Sequence, residues 1–293
     1  MPSQRQLKGR IRSVKNTKQI TKAMQMVAAS KMRRAQDATK ATAPYTETAR
    51  KLLAHLAKQG ATKRHPLFQV RPIKSRLLIV VASDKGLAGA YNSNVAKQYL
   101  RELLDDNKNQ VNTKSIAVGR KVTNFVTRLK DAELVGAYED LPDTLEGYEL
   151  RPALDSAYKL FVDGEVDAVD LVYTEFVSSV TQIAKTERLL PAGSAVETAI
   201  QAETEDVPQE ATFEPDEETV LESVAYRLIN AQLFQAFLDA RASEHSMRML
   251  AMKNATDNAG DLIDDLTLEM NKARQAAITQ ELAEISGGAE AMK

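Results

Sequence analysis

Between Pro215 and the glycine pair Gly287–Gly288 the chain has no proline, and small or apolar residues return every three or four positions. The series runs Val224, Leu228, Ala231, Phe234, Leu238, Ala242, His245, Met249, Met252, Thr256, Ala259, Ile263, Leu266, Met270, Ala273 and Ala277. Such spacing is one face of an α-helix. Asp216, Glu217 and Glu218 place acids in its first turn, and the two glycines predict its stop. About 70 residues at 1.5 Å each give a rod on the order of 105 Å, too long for one small domain to contain, so it is expected to protrude. A mean step of about 3.5 residues, the coiled-coil repeat, calls for a left-handed supercoil with a second helix.

The N-terminal end offers that second helix. Between Ser3 and Ala43 there is no proline and one glycine, Gly9, while Leu7, Ile11, Val14, Ile20, Met24, Val27 and Met32 recur mostly at helical spacing. Pro44 predicts a kink, after which Leu52, Leu53 and Leu56 carry the pattern on to breakers at Gly60 and Pro66. Antiparallel pairing of the two ends makes a shaft and leaves the middle of the chain as an inserted domain. The expected division is an N-terminal shaft helix over 1–60, an α/β domain over 75–190, an acidic connector over 191–215 and a C-terminal shaft helix over 216–286.

The middle alternates strands with helices. RLLIVVAS (76–83), SIAVG (115–119) and DAVDLVYTEFV (167–177) read as buried strands. NSNVAKQYLRELL, RKVTNFVTRLK and RPALDSAYKLFVDG read as the helices between them. QIAKTERLLP (182–191) adds an antiparallel edge strand. The fold class is therefore α/β: a long antiparallel coiled coil of the terminal helices with an inserted Rossmann-like domain. From Glu197 to Glu218 nine acids and no base, with Pro208 and Pro215, mark the connector as flexible.

Charge is distributed unevenly. Met1 to Arg76 carries nineteen Lys or Arg against Asp37 and Glu47, a balance of +17; with the whole chain at −1, the remainder carries −18. Opposed halves imply internal complementarity or a charged partner for the basic end. With no cysteine, disulfides, thiol chemistry and cysteine-based zinc sites are excluded. His55, His65 and His245 are scattered without an HExxH pattern, so no metal site is expected. The longest aliphatic run, LLIVVA at 77–82, is too short to span a bilayer. The basic, acid-poor N-terminus has the look of a presequence, yet its periodicity continues far beyond such a segment and reads as mature structure.

SDKGLAGAYNSNV follows the first strand and opens a helix, where a glycine loop can cradle phosphate. It has neither a P-loop GKS/GKT nor GxGxxG, only Gly86 and Gly89, so a tight strand-to-helix turn is the expected reading and no cofactor is implied. There is no GxSxG elbow, no cysteine nucleophile and no histidine placed beside a serine and an acid, so catalysis by this chain is not expected. A Rossmann-like enzyme and a basic nucleic-acid-binding coiled coil are the competing classes. Against the latter, residues 1–44 contain no aromatic side chain to stack on bases, while their methionines and alanines suit a close or sliding protein contact. A calmodulin-like target is a further option for the same helix.

Three stretches carry a resemblance: NTKQITKAMQMVAASKMRRAQ (16–36), SDKGLAGAYN (83–92), and ASEHSMRMLAMKNATDNAGDLI with NKARQAAITQELAEI (242–263 and 271–285). In order and spacing they resemble the gamma subunit family of F-type ATP synthases, the central rotor. The resemblance implies a non-catalytic rotor shaft, present in one copy, that couples ion flow to ATP synthesis or hydrolysis. It threads a ring of three alternating alpha and beta subunits and stands on the epsilon subunit and the membrane ring of c subunits. It implies a peripheral place at a membrane and no bound cofactor or nucleic acid, and the lack of a presequence leans towards the cytoplasmic face of a bacterial membrane. Lys22, Met24 and Lys31 match the family's contact segment with the catalytic ring, as do Arg248 on the opposing helix and Arg274, Gln275, Thr279 and Glu281 near the C-terminal tip.

Overall fold

The computed structural model describes residues 3–58, 65–129, 132–142, 147–192 and 216–291. Most of the acidic connector lies outside them, as does the side chain of His55. The chain divides into two compact units, one of Met1–Ala29 with Arg248–Lys293 and one of Ser30–Met247. Two helices run through both: α1 (Gln4–Lys58) and the last helix, α5 (Glu217–Ala291).

In the first unit α1 and α5 pack antiparallel. Leu7 and Ile11 bury against Leu266, with Val14, Ile263, Met270 and Ala273 alongside. Further along α1 and further back along α5, the Thr21 and Thr256 hydroxyls meet at 2.8 Å. Thr256 Oγ1 also lies 2.7 Å from Met252 O, so the one polar pair in this stretch of seam is satisfied and not a buried vacancy. Small residues let the helices approach closely: Ala28 and Ala259 are buried.

The second unit is built on a five-stranded sheet. Its strands are β1 (Ser75–Val81), β2 (Asn112–Val118), β3 (Glu133–Tyr138), β4 (Ala168–Phe176) and β5 (Gln182–Leu190), in the order β3-β2-β1-β4-β5. The first four pair in parallel and β5 runs antiparallel to β4. Helices α2 (Tyr91–Lys108), α3 (Arg120–Val126) and α4 (Arg151–Val162) make the crossovers. Side chains alternate across the pleat, so β1 sends Leu77, Ile79 and Val81 into one core and Leu78 and Val80 into the other. Both faces are covered, as a parallel sheet requires. Tyr91, Val95, Tyr99 and Leu103 of α2 with Val122 and Val126 of α3 cover one face. Ala153, Leu154, Ala157 and Phe161 of α4 cover the other, together with Leu221, Ala225, Leu228, Ile229, Leu233, Ala236, Phe237 and Ala240 of α5.

Three local features differ from the sequence reading. The first third of the long apolar series packs on a sheet, because spacing of three and four defines a helix face without choosing what it faces. Pro44 sits inside α1, whose helix runs through it; Thr48 Oγ1 donates to Pro44 O at 2.9 Å, and Thr42 Oγ1 donates back to Ala38 O at 3.1 Å. The glycine pair does not end α5, which continues to Ala291. Glycine weakens a helix by roughly 1 kcal/mol relative to alanine and does not forbid it.

Candidate functional site

The site follows from what α1 and α5 leave uncovered in the first unit. Along α1, Arg5, Lys8, Arg12, Lys15, Lys18 and Lys22 are all exposed, at steps of three or four. They form a basic stripe on one helix face. Two shallow apolar grooves lie along it. One, of about 450 Å³, is lined by Gly9 and Ile11 with Arg5, Lys8, Arg12 and Lys15. The other, of about 660 Å³, has Ala23, Met26, Thr256 and Ile263 between Lys15, Lys18, Gln19 and Lys22. Nearby, Ile20, Met26 and Val27 are each more than half exposed. A surface of small apolar groups edged by flexible cations offers many weak contacts and no deep one.

On α5 the seam ends at Ala273. Every residue from Arg274 to Ser286 is exposed, including Ile278, Leu282 and Ile285. The tip is thus a lone helix with apolar side chains on its surface. Ala277, which the periodicity puts in the seam, belongs to this exposed stretch.

The residues singled out from sequence fall in three places. Lys22 is exposed, its Nζ donating to Gln25 Oε1 at 3.3 Å, and Met24 is half-buried on the same helix. Arg274, Gln275, Thr279 and Glu281 are together on the exposed tip, where the Thr279 hydroxyl donates to Gln275 O at 3.0 Å. Arg248 is half-buried on α5 within the first unit, whereas Lys31 is half-buried in the second. The sequence marks this end as basic, and the spacing of these lysines and arginines is the signal that gathers them into one stripe.

The glycine loop after β1 is a tight turn. Leu87 and Gly89 take left-handed conformations, and Asn92 Oδ1 accepts from Ser83 N at 3.1 Å and from Ser83 Oγ at 2.9 Å. Asp84 Oδ1 accepts the amides of Arg120 at 3.0 Å and Asp140 at 3.1 Å, so donors that an anion would use are held by this chain's own carboxylate. His65 is buried beside Phe68, its Nδ1 accepting from Leu67 N. Among the described residues no cluster of His, Asp or Glu is arranged to hold a metal ion, and no helix is long and apolar enough to cross a membrane.

Ionised groups inside the second unit serve the fold. Arg76, at the start of β1, bonds Asp106 Oδ2 and Glu102 Oε2 at 2.9 Å and Asp170 Oδ2 at 3.0 Å. Arg188 pairs with Asp170 from the edge strand. Burial pushes the Asp106 carboxyl above its usual range, against the opposing pull of Thr113 and Arg76. Asp239 on α5 is pushed up to about 6 by burial and by Glu175 and Glu187, partly offset by Lys185.

Together these features define a protein of two long helices, packed antiparallel in the first unit, and an α/β domain in the second. The family described as ATP synthase matches residues 3–292. The ATP synthase gamma chain of Acidithiobacillus ferrooxidans is 41% identical over the full length of both chains, and that of Ralstonia nicotianae 41% over the full length of both. The chain resembles a central stalk chain of the Tetrahymena thermophila mitochondrial ATP synthase, with a TM-score of 0.62 and 25% identity, over 80% of this chain and 99% of that one. A chain of the Euglena gracilis mitochondrial ATP synthase shares the fold at a TM-score of 0.70 and 19% identity, covering 99% of this chain and 94% of that one. The chain belongs to the ATP synthase gamma chain family.

Proposed function

We propose that this chain works as the central rotor shaft of an F-type ATP synthase, with catalysis carried by its partners. Family membership supports the rotor role and its non-catalytic character. The observation that carries the mechanism is the contrast within the first unit: a satisfied, buried seam inside and an open basic and apolar surface outside. A shaft needs a stiff interior and an exterior that does not stick.

In this reading the helices over 1–60 and 216–286 are the shaft, 75–190 is the foot and 191–215 the connector. The shaft threads one copy through a ring of three alpha and three beta subunits, and the foot stands on the epsilon subunit and the c-subunit ring. The complex sits at the cytoplasmic face of a bacterial membrane, with this chain peripheral to it. Lys22, Met24 and Lys31, with Arg248 on the other helix and Arg274, Gln275, Thr279 and Glu281 at the tip, meet the catalytic ring. The basic stripe attracts acidic loops of that ring at modest, solvent-screened strength. An asymmetric shaft in a threefold ring touches each catalytic subunit differently and so biases its open and closed states. Shifting one site from 1:99 to 99:1 requires about 5.5 kcal/mol of differential contact, which several weak contacts together supply.

The test is to mix the purified chain with its cognate alpha and beta subunits, then measure native mass and ATPase rate. A particle holding one copy of this chain per three alpha–beta pairs, with hydrolysis dependent on it, is the expected result. A chain that neither joins nor activates them overturns the proposal.

A further inference from the structure

Doubly wound sheets take their ligands in the crevice beyond the carboxyl ends of the parallel strands, where the strand order reverses. Here the reversal lies at β1 and β4, and α5 reaches the segments that end these strands. Three of its side chains reach the segments at the ends of three strands. Arg241 Nη2 donates to Leu141 O, beyond β3, at 3.1 Å and lies 3.9 Å from Asp84 Oδ2, beyond β1. Ser243 Oγ donates to Thr174 O near the end of β4 at 3.2 Å, and Ser246 Oγ donates to Ser179 O in the following turn at 2.7 Å. Both serines are fully buried, and the Arg241 side chain is 14% exposed. Arg241 is braced by Glu244 Oε2 at 3.3 Å and by the Phe237 ring 5.0 Å away, while Gln182 Nε2 donates to Ser246 Oγ at 3.3 Å.

Burial of an apolar face would be enough to hold a helix on a sheet, and α5 has such a face. Apolar contact is non-directional, however, and holds a face on the sheet without setting the helix's rotation as sharply as directed bonds do. Hydrogen bonds fix direction. At about 100° per residue, Ser243 and Ser246 leave the helix roughly 140–160° from Arg241, so the grip comes from opposite sides.

We propose that Arg241, Ser243 and Ser246 are positioning residues that clamp α5 against rotation within the α/β domain, occupying the crevice that related topologies give to a ligand. The clamp lets torque pass between domain and shaft helix without slip. It rests on the rotor reading above.

The test uses the full chain assembled with alpha and beta subunits held on a surface, with a bead on Lys108→Cys, a strongly exposed position in a chain free of cysteine. Angular variance of the bead is measured while the particle is paused. Arg241→Gln with Ser246→Ala is expected to broaden that variance at least two-fold in particles that still assemble and hydrolyse ATP. Ser246→Ala alone, which removes one hydroxyl, is expected to broaden it by a smaller, measurable amount and serves if the double variant does not fold. Assembled, hydrolysing particles of either foldable variant with unchanged variance overturn the clamp alone. If the unsubstituted chain gives no rotating particle, the rotor reading falls and the clamp with it.

Discussion

Replacing Arg76 by methionine keeps most of the side chain's length and removes its charge, which isolates what the guanidinium does for the α/β domain. Its side chain is 11% exposed, and its partners Asp106 and Asp170 are 8% and 4% exposed. Taking one member from a buried ion set strands the others, at about 3–5 kcal/mol. Asp170 keeps Arg188, and Asp106 keeps the Thr113 hydroxyl at 2.9 Å, so the lower figure of about 3 kcal/mol applies. Amide exchange in β1 and β2, read by mass spectrometry, reports this as opening on the order of 100-fold more frequent. The Asp106 carboxyl already lies above its usual range through burial, so the folded state binds its proton more tightly than the unfolded one. Without Arg76 that preference grows, and the stability lost is largest above neutral pH and shrinks as acid protonates Asp106. Adding Asp106→Leu should return at least half of the loss, since an apolar pair replaces a stranded charge. Exchange less than five-fold faster in Arg76→Met, or a deficit that grows on acidification, would refute this reasoning.

Glycine substitutions should separate by backbone. Gly9→Ala and Gly260→Ala are each expected to stabilise the chain by roughly 0.5–1 kcal/mol in denaturant titration, since the first has open space and the second meets only the flexible end of Lys18. Gly119→Ala should disrupt the domain, because its φ is +103° and the new Cβ would lie 2.2 Å from Ala82 O. Asp239 has its folded pKa raised to about 6, so its ionisation costs stability, a cost small near pH 4 and complete above about pH 7. Asp239→Asn should therefore raise the melting temperature at pH 8, by the equivalent of about 1 kcal/mol after discounting for solvent access, and change it little at pH 4. Met24→Ala should leave the assembled enzyme hydrolysing ATP; complete loss of turnover with assembly intact would contradict distributed contact.

The sequence disclosed β1, β2 and β4 because their apolar runs are buried on both sides, and β5 because it follows a short connection back along the sheet edge. It hid β3, whose ELVGAY alternates exposed with half-buried residues around Gly136 and so gives little hydrophobic signal. Arg76 was equally hidden, since its three carboxylates come from α2 and β4, and no local pattern announces contacts up to 94 residues apart. The exposed tip was legible as a motif but not as a surface. Ala277 keeps the spacing of the seam after α1 has run out, and periodicity carries no record of where a partner helix ends.

Rotation tests the central claim most directly. With the alpha–beta ring held to a surface and a bead on Lys108→Cys, ATP should drive unidirectional turning of the bead in steps that divide the circle by three. A bead that stays fixed while the same particles hydrolyse ATP would contradict a rotor.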